Sequence, residues 1–150
     1  MIKFRKTDPL YGCFSNFYLT DVEFRGLKFT SSEAAWQAQK CINEGDKKIF
    51  QTKTPSEAKS LGRRVNLRSD WEKIKYQLMI DVCYAKFSQN LKIKEILLST
   101  KDEELVEDTT GWHDNQWGNC DCPKCKNIVG QNLLGKALME VRNKLRAEAL

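Results

Sequence analysis

Between Trp71 and Phe87 apolar side chains recur at helical spacing, and this pattern constrains the fold more than any other stretch. Trp71, Ile74, Leu78, Val82 and Ala85 make one stripe over roughly five turns, widened by Met79, Ile80, Cys83 and Phe87. A helix apolar over so broad an arc needs other elements around it, so it is expected to run through the core. Ser69-Asp70-Trp71-Glu72 opens it with a helix N-terminal signature. The stripe is ordinary core and carries no ligand role.

The remaining chain supplies the cover in short pieces. Val22-Glu23-Phe24 and Leu27-Lys28-Phe29 flank Arg25-Gly26, which predicts a small hairpin. Thr30-Ser31-Ser32-Glu33 has the form of a capping box. Ala34, Ala35, Ala38 and Lys40 follow it as good helix formers, before a stop at Gly45. On that helix Ala35, Ala38 and Ile42 are expected to face the core, with Trp36 and Cys41 edging the polar side. Thr54-Pro55-Ser56-Glu57 starts a further helix that Gly62 ends. A helix over about 92 to 98 precedes Glu104-Leu105-Val106-Glu107, read as a short strand. From Asn132 onward Leu134, Leu138, Val141 and Leu145 form the seam of a C-terminal helix, with Arg142, Lys144 and Arg146 set off it. The sum is an α+β fold, mainly α, with a small β component.

A chain of 150 residues with 41% hydrophobic content can bury a proper core, and no Pro/Gly/Ser-rich linker or repeat divides it, so one compact domain spanning 1–150 is expected. Met1-Ile2-Lys3-Phe4-Arg5-Lys6 has no apolar run of signal-peptide length, and no later stretch approaches a membrane span. A cytoplasmic protein with no membrane partner is expected. The net charge of +5 comes from 25 basic and 20 acidic residues that are interspersed. That balance attracts phosphates but lacks the basic stripe of a dedicated duplex binder, and a phosphorylated small ligand fits as well as nucleic acid. Cys13, Cys41 and Cys83 are scattered and are expected to be reduced, buried and small.

Three polar groupings remain. Glu33, Gln37 and Lys40 stand at i, i+4 and i+7, which brings an acid, an amide and an amine to one side of a helix. On spacing alone a solvated helix face is the preferred explanation, since most charged helical residues are exposed. His113-Asp114-Asn115-Gln116-Trp117-Gly118-Asn119 gathers the lone histidine, a carboxylate, amides and an aromatic in a loop. There Trp117 could stack on a heterocycle, and Asp114 could act on a sugar hydroxyl or a water. Cys120, Cys122 and Cys125 could fill three positions of a tetrahedral zinc site, with His113 or Cys41 as a fourth ligand. A zinc ribbon normally supplies two pairs of cysteines. The absence of a second C-x-x-C therefore favours reduced loop thiols, and no cofactor is expected. A metal held there would be structural.

Taken together in order, Ser15-Asn16-Phe17, Ser32-Glu33 through Gln37 and Lys40, Ala58-Lys59-x-Leu61-Gly62-Arg63, Trp117-Gly118, and Gly130-x-Asn132-x-Leu134-Gly135-x-x-Leu138-Met139-Glu140-Val141-Arg142 resemble the NADAR superfamily, also called YbiA-like. The resemblance runs from about Phe14 to Leu145. It implies a compact, mainly helical α+β domain and an N-glycosidase that hydrolyses the bond between ribose C1 and nitrogen. The substrates it implies are early phosphorylated ribosylaminopyrimidines of riboflavin biosynthesis, or ADP-ribose on a guanine base in nucleic acid. A toxin-antitoxin setting is among the contexts it implies. Carried over by position, the catalytic residues are Glu33, Lys40 and Asp114. The substrate-binding residues are Asn16, Phe17, Gln37, Lys59, Arg63, Trp117, Gly118 and Asn132. Asn119 stands where some members have an aspartate, and the cysteine insert occurs in only part of the family.

The chemistry wants such groups. Cleaving an N-glycoside builds positive charge on the sugar, so a carboxylate near C1, here Glu33, stabilises the transition state or activates water. Lys40 as a cation could bind phosphate or orient Glu33; as a neutral amine it could form a Schiff base with the ring-opened sugar. Arg63, with Lys59 nearby, suits a phosphate fork. Asn16 and Asn132 can meet ribose hydroxyls. Two other readings stand beside this one: a non-catalytic ADP-ribose or nucleotide sensor, and a zinc-dependent nucleic-acid-binding module.

Overall fold

Local signals place most boundaries. The computed structural model describes residues 1–150. In chain order the elements are β1 (Ile2–Phe4), β2 (Leu19–Phe24), β3 (Leu27–Ser31), α1 (Ser32–Ala38), α2 (Glu44–Lys47), α3 (Pro55–Gly62), α4 (Trp71–Ser88), α5 (Leu91–Ser99), β4 (Leu105–Glu107) and α6 (Leu133–Glu148). Short 3-10 turns lie at Gly12–Phe14 and Lys48–Thr52. This is the mainly helical α+β architecture expected. No helix is long and apolar enough to cross a membrane. The chain packs as two compact units, Met1–Ser15 with Lys92–Leu150, and Asn16–Leu91.

In the Asn16–Leu91 unit, β2 and β3 pair antiparallel, with Val22 opposite Phe29 and Phe24 opposite Leu27. Arg25 and Gly26 both take positive φ, 50° and 85°, the backbone twist that lets a two-residue turn follow the strands. Ser31 then caps α1, its side chain accepting from Ala34 N. Helix α3 has the full capping box: Thr54 Oγ1 accepts from Glu57 N, and the Glu57 carboxylate accepts from Thr54 N. Helix α4 is the expected core element, with Trp71, Leu78, Met79, Val82, Cys83 and Phe87 buried. Its start departs from expectation, because Asp70 makes no cap and pairs with Arg68.

The other unit joins the chain's first strand to residues Lys92–Leu150. Parallel pairing of β1 with β4 sets Ile2 against Leu105 and Phe4 against Glu107; β1 has too few residues for a pattern of its own and was not foreseen. Leu134, Leu138, Val141 and Leu145 of α6 are buried as the seam predicted. Arg142 is not off that seam. It is only 4% exposed, and its Nη1 donates to Thr100 Oγ1 at 2.9 Å and Glu103 O at 2.8 Å. A buried guanidinium is tolerated here because it gathers acceptors from the turn between α5 and β4.

Candidate active site

Helix α1 is shorter than its sequence implies. It ends at Ala38, and Lys40 N and Cys41 N bond to Gln37 O and Ala38 O, the tight pattern of a last helical turn. Tertiary pairing pulls the chain out of the helix: Arg68 N donates to Lys40 O at 3.0 Å, and Cys41 bridges to Leu67. Ile42, expected to face the core, lies beyond that exit and is 69% exposed.

The solvated-face explanation of the polar triplet fails on burial. Every residue of α1 is buried, and Glu33 is only 7% exposed. Its Oε1 accepts from Gln37 Nε2 at 2.9 Å. Gln37 Oε1 has no hydrogen-bond partner and lies against Gly62, where a Cβ would collide with it. The Ala58-to-Arg63 segment is thus pressed onto the amide that holds Glu33, which explains a small residue at the end of α3.

Lys40 follows in the turn, its Nζ over the ring faces of Trp36 and Trp71, 5.6 Å from each centroid. Burial lowers its ammonium below the ordinary value; the Glu33 carboxylate pulls the other way, while Arg63 and Lys75 push it further down. Both ring faces also favour the cation. Exclusion of water nonetheless decides the direction. Glu33, Lys40 and Arg63 therefore share one electrostatic neighbourhood. The two tryptophan rings lie 5.0 Å apart, and Trp36 Nε1 donates to Lys75 O at 3.1 Å, which fixes the wall around the amine. Lys59 Nζ sits 5.9 Å from the Phe17 ring centroid.

Asn16 is buried, and its Oδ1 accepts from Ser32 Oγ at 2.9 Å while its Nδ2 points at Met79 Sδ, 3.4 Å away. Ser32 Oγ in turn takes a bond from Lys86 Nζ at 3.4 Å. Lys86 escaped the sequence reading: it is completely buried on α4, against the Tyr18 and Phe87 rings. The available signal was its position, four residues after Val82 and three after Cys83, where a lysine interrupts an apolar stripe. Arg68 was also missed. Beyond holding Lys40 O, it forks onto Asp70 at 2.7 and 3.2 Å, bracing the turn from a place no local pattern marks.

Asp114, Trp117, Gly118 and Asn132 belong to the other unit. Asp114 Oδ1 accepts from Gln116 N and Trp117 N, both at 2.9 Å, so one oxygen of that carboxylate holds the turn. Gly118 is buried where a Cβ would stand 2.6 Å from Glu107 O. Asn132 takes left-handed φ (52°); its Oδ1 accepts from Glu107 N and its Nδ2 donates to Leu105 O, clasping β4. Asn119 accepts from Gly130 N and donates to Asp121 Oδ1, a pair of bonds that an aspartate could not make both of.

The cysteine insert folds back on this loop. His113 Nδ1 lies 3.5, 3.3 and 3.5 Å from Sγ of Cys120, Cys122 and Cys125. The fourth member of this cluster is therefore His113, and Cys41 is not part of it. Burial opposes ionisation of Cys120, but hydrogen bonds from the Cys122 and Gly111 backbone and from the neighbouring thiols outweigh it and bring that thiol down to about 6. Cys13, Cys41 and Cys83 are buried thiols, as expected.

A short, dry helix that presents a carboxylate, followed by a turn that presents a half-buried amine, brings an acid and an amine into one neighbourhood, an arrangement suited to proton transfer or to nucleophilic attack by the amine. The NADAR domain model matches residues 3–146, and the chain belongs to that family. It is 38% identical to an N-glycosidase of Nostoc punctiforme over 97% of this chain and 92% of that protein. It is 36% identical to N-glycosidase YbiA of Escherichia coli, over 99% and 90% respectively. The NMR structure of YbiA superposes with a TM-score of 0.83 at 34% identity, covering 99% of this chain and 86% of that one. A riboflavin biosynthesis protein of Vibrio vulnificus is 32% identical over 99% of this chain and 39% of its own length.

Proposed function

We infer that this chain is a hydrolase of N-glycosyl bonds that cleaves the ribose C1–N bond of a phosphorylated ribosyl heterocycle, using Glu33 and Lys40. The bond class follows from the family and from relatives named N-glycosidases. The observation that supports the assignment of residues is the half-buried Lys40 amine over the Trp36 and Trp71 rings, on the turn that follows the helix bearing the buried Glu33 carboxylate.

Desolvation favours the covalent route for Lys40. When the ribosylamine ring opens, the neutral amine adds to C1, the bond to the heterocycle nitrogen breaks, and that nitrogen leaves with a proton. Water then hydrolyses the lysine–C1 imine, and the freed sugar closes. Glu33 is assigned to relay the protons and to stabilise positive charge at C1. Arg63, exposed at the end of α3, supplies a fork for phosphate, with Lys59 on the same helix. Trp117 is assigned to stack on the base, on the family resemblance. Asp114 is assigned to hold its turn and not to transfer protons, because its Oδ1 already serves two amides. The substrate is either a ribosylaminopyrimidine phosphate or ADP-ribosylated guanine in nucleic acid; a name in riboflavin biosynthesis among the relatives favours the first.

Purified protein is incubated with each substrate class side by side, and free base is measured. Release from one class supports the reading and names the class. Binding of either without release of base would identify a sensor and overturn it. Borohydride added during turnover should trap a sugar adduct on the wild type and none on Lys40→Ala.

A further inference from the structure

We propose that His113, Cys120, Cys122 and Cys125 together bind one zinc ion that closes the loop bearing Asp114 to Asn119 into a ring. The ligand atoms of these four residues all lie within 4.8 Å of one another. One imidazole nitrogen stands 3.5, 3.3 and 3.5 Å from three different sulfurs. Hydrogen bonding does not account for that pattern, since Nδ1 has either one N–H or one lone pair and can satisfy a single thiol. A common centre accounts for all three approaches. For Zn–S of about 2.3 Å and Zn–N of about 2.0–2.1 Å, the nitrogen-to-sulfur edge of a tetrahedron is about 3.5 Å.

The backbone is arranged to present these atoms. His113 takes a left-handed φ of 58°, uncommon for a residue with a side chain, and Gly111 two residues earlier has φ of 113°. Cys125 N donates to Cys122 O at 3.0 Å, a tight turn that brings both sulfurs of the C-x-x-C to one side. Three thiolates and an imidazole select a soft, tetrahedral ion over magnesium or calcium, and four protein ligands leave no open position for substrate. Each thiol still protonated gives its proton to solvent on binding, and the imidazole binds neutral with its proton on Nε2.

The two ends of the His113-to-Cys120 segment would then be joined by coordination to one ion, with Asp114, Trp117 and Gly118 inside the ring. That constraint removes freedom from a loop that otherwise relies on hydrogen bonds such as Cys120 N to Asn115 Oδ1 at 2.9 Å. Only the consequence for turnover rests on the proposed function; metal binding itself does not.

The test is metal analysis of tag-free protein purified under reducing conditions, with a cobalt titration of the metal-stripped wild type. About one zinc per chain, and thiolate-to-cobalt charge-transfer with tetrahedral d–d bands, are expected. His113→Cys should keep the zinc, and His113→Ala and Cys122→Ser should each lose most of it. Less than about a tenth of an equivalent after reconstitution with zinc, without tetrahedral cobalt bands, overturns the proposal. So does zinc that persists at full occupancy in both His113→Ala and Cys122→Ser, or iron or copper found in its place. Stoichiometric zinc with unaltered turnover after chelation leaves the site standing and removes its bearing on catalysis.

Discussion

Helix α1 and the 109–132 loop are both rich in polar groups, but they hold them in opposite ways. Around α1, polarity is buried by packing: Glu33 and Gln37 sit on a helix with no exposed face, and Lys40 is walled by two tryptophans. In the loop, polarity is consumed by the backbone: Asp114, Asn115, Asn119 and Asn132 all accept main-chain N–H groups. The first arrangement takes a carboxylate and much of an amine out of water, the setting in which perturbed titration arises. The second uses the same residue types as scaffolding, because a loop without ladder bonds must satisfy its amides from side chains. Residue type alone therefore does not distinguish a carboxylate buried by packing from one that braces the backbone.

The sharpest challenge to this contrast is Glu33→Gln. The amide keeps the shape and can still accept from Gln37, so the fold should persist while turnover falls roughly a hundred- to ten-thousand-fold; comparable turnover would place the chemistry elsewhere. Next in size is a pH effect at Lys40. The protonated amine cannot add to C1, and burial lowers its pKa below the ordinary 10.5, so the rate of borohydride-trapped adduct should climb with pH and level off before pH 10.5. A climb continuing past that value would mean an ordinary, wet lysine. Gly62→Ala tests the packing directly. The methyl displaces the Gln37 amide from Glu33 and should cost about 1–3 kcal/mol, read by thermal or denaturant unfolding. The smallest effect is expected at Asp114→Asn, which retains the Oδ1 acceptor for both turn amides. Stability should change by about 0.5 kcal/mol or less, and turnover by only a few-fold. A drop as large as that of Glu33→Gln would return Asp114 to the catalytic set.

Much of the scaffold was legible because its signals are local. The capping box at Thr54, the Arg25-Gly26 turn, the α4 stripe and the α6 seam each depend on residues a few positions apart, and each formed where expected. The misses are long-range. Strand β1 exists because β4, about a hundred residues later, pairs with it. Helix α1 stops early because Arg68 and Leu67 capture the chain at Lys40 and Cys41. Arg142, expected off the α6 seam, and Lys86, which the sequence reading left out, are both buried, since acceptors from other elements meet them.

By itself the sequence determined the types of the longer elements, the core face of the long helices and, through its ordered motifs, the family. Periodicity and capping act over one or two turns, and a linear pattern carries them completely. Tertiary structure alone decided which polar groups lose water. Desolvation depends on what covers a side chain from distant parts of the chain: Trp71 over Lys40, and Gly62 against Gln37.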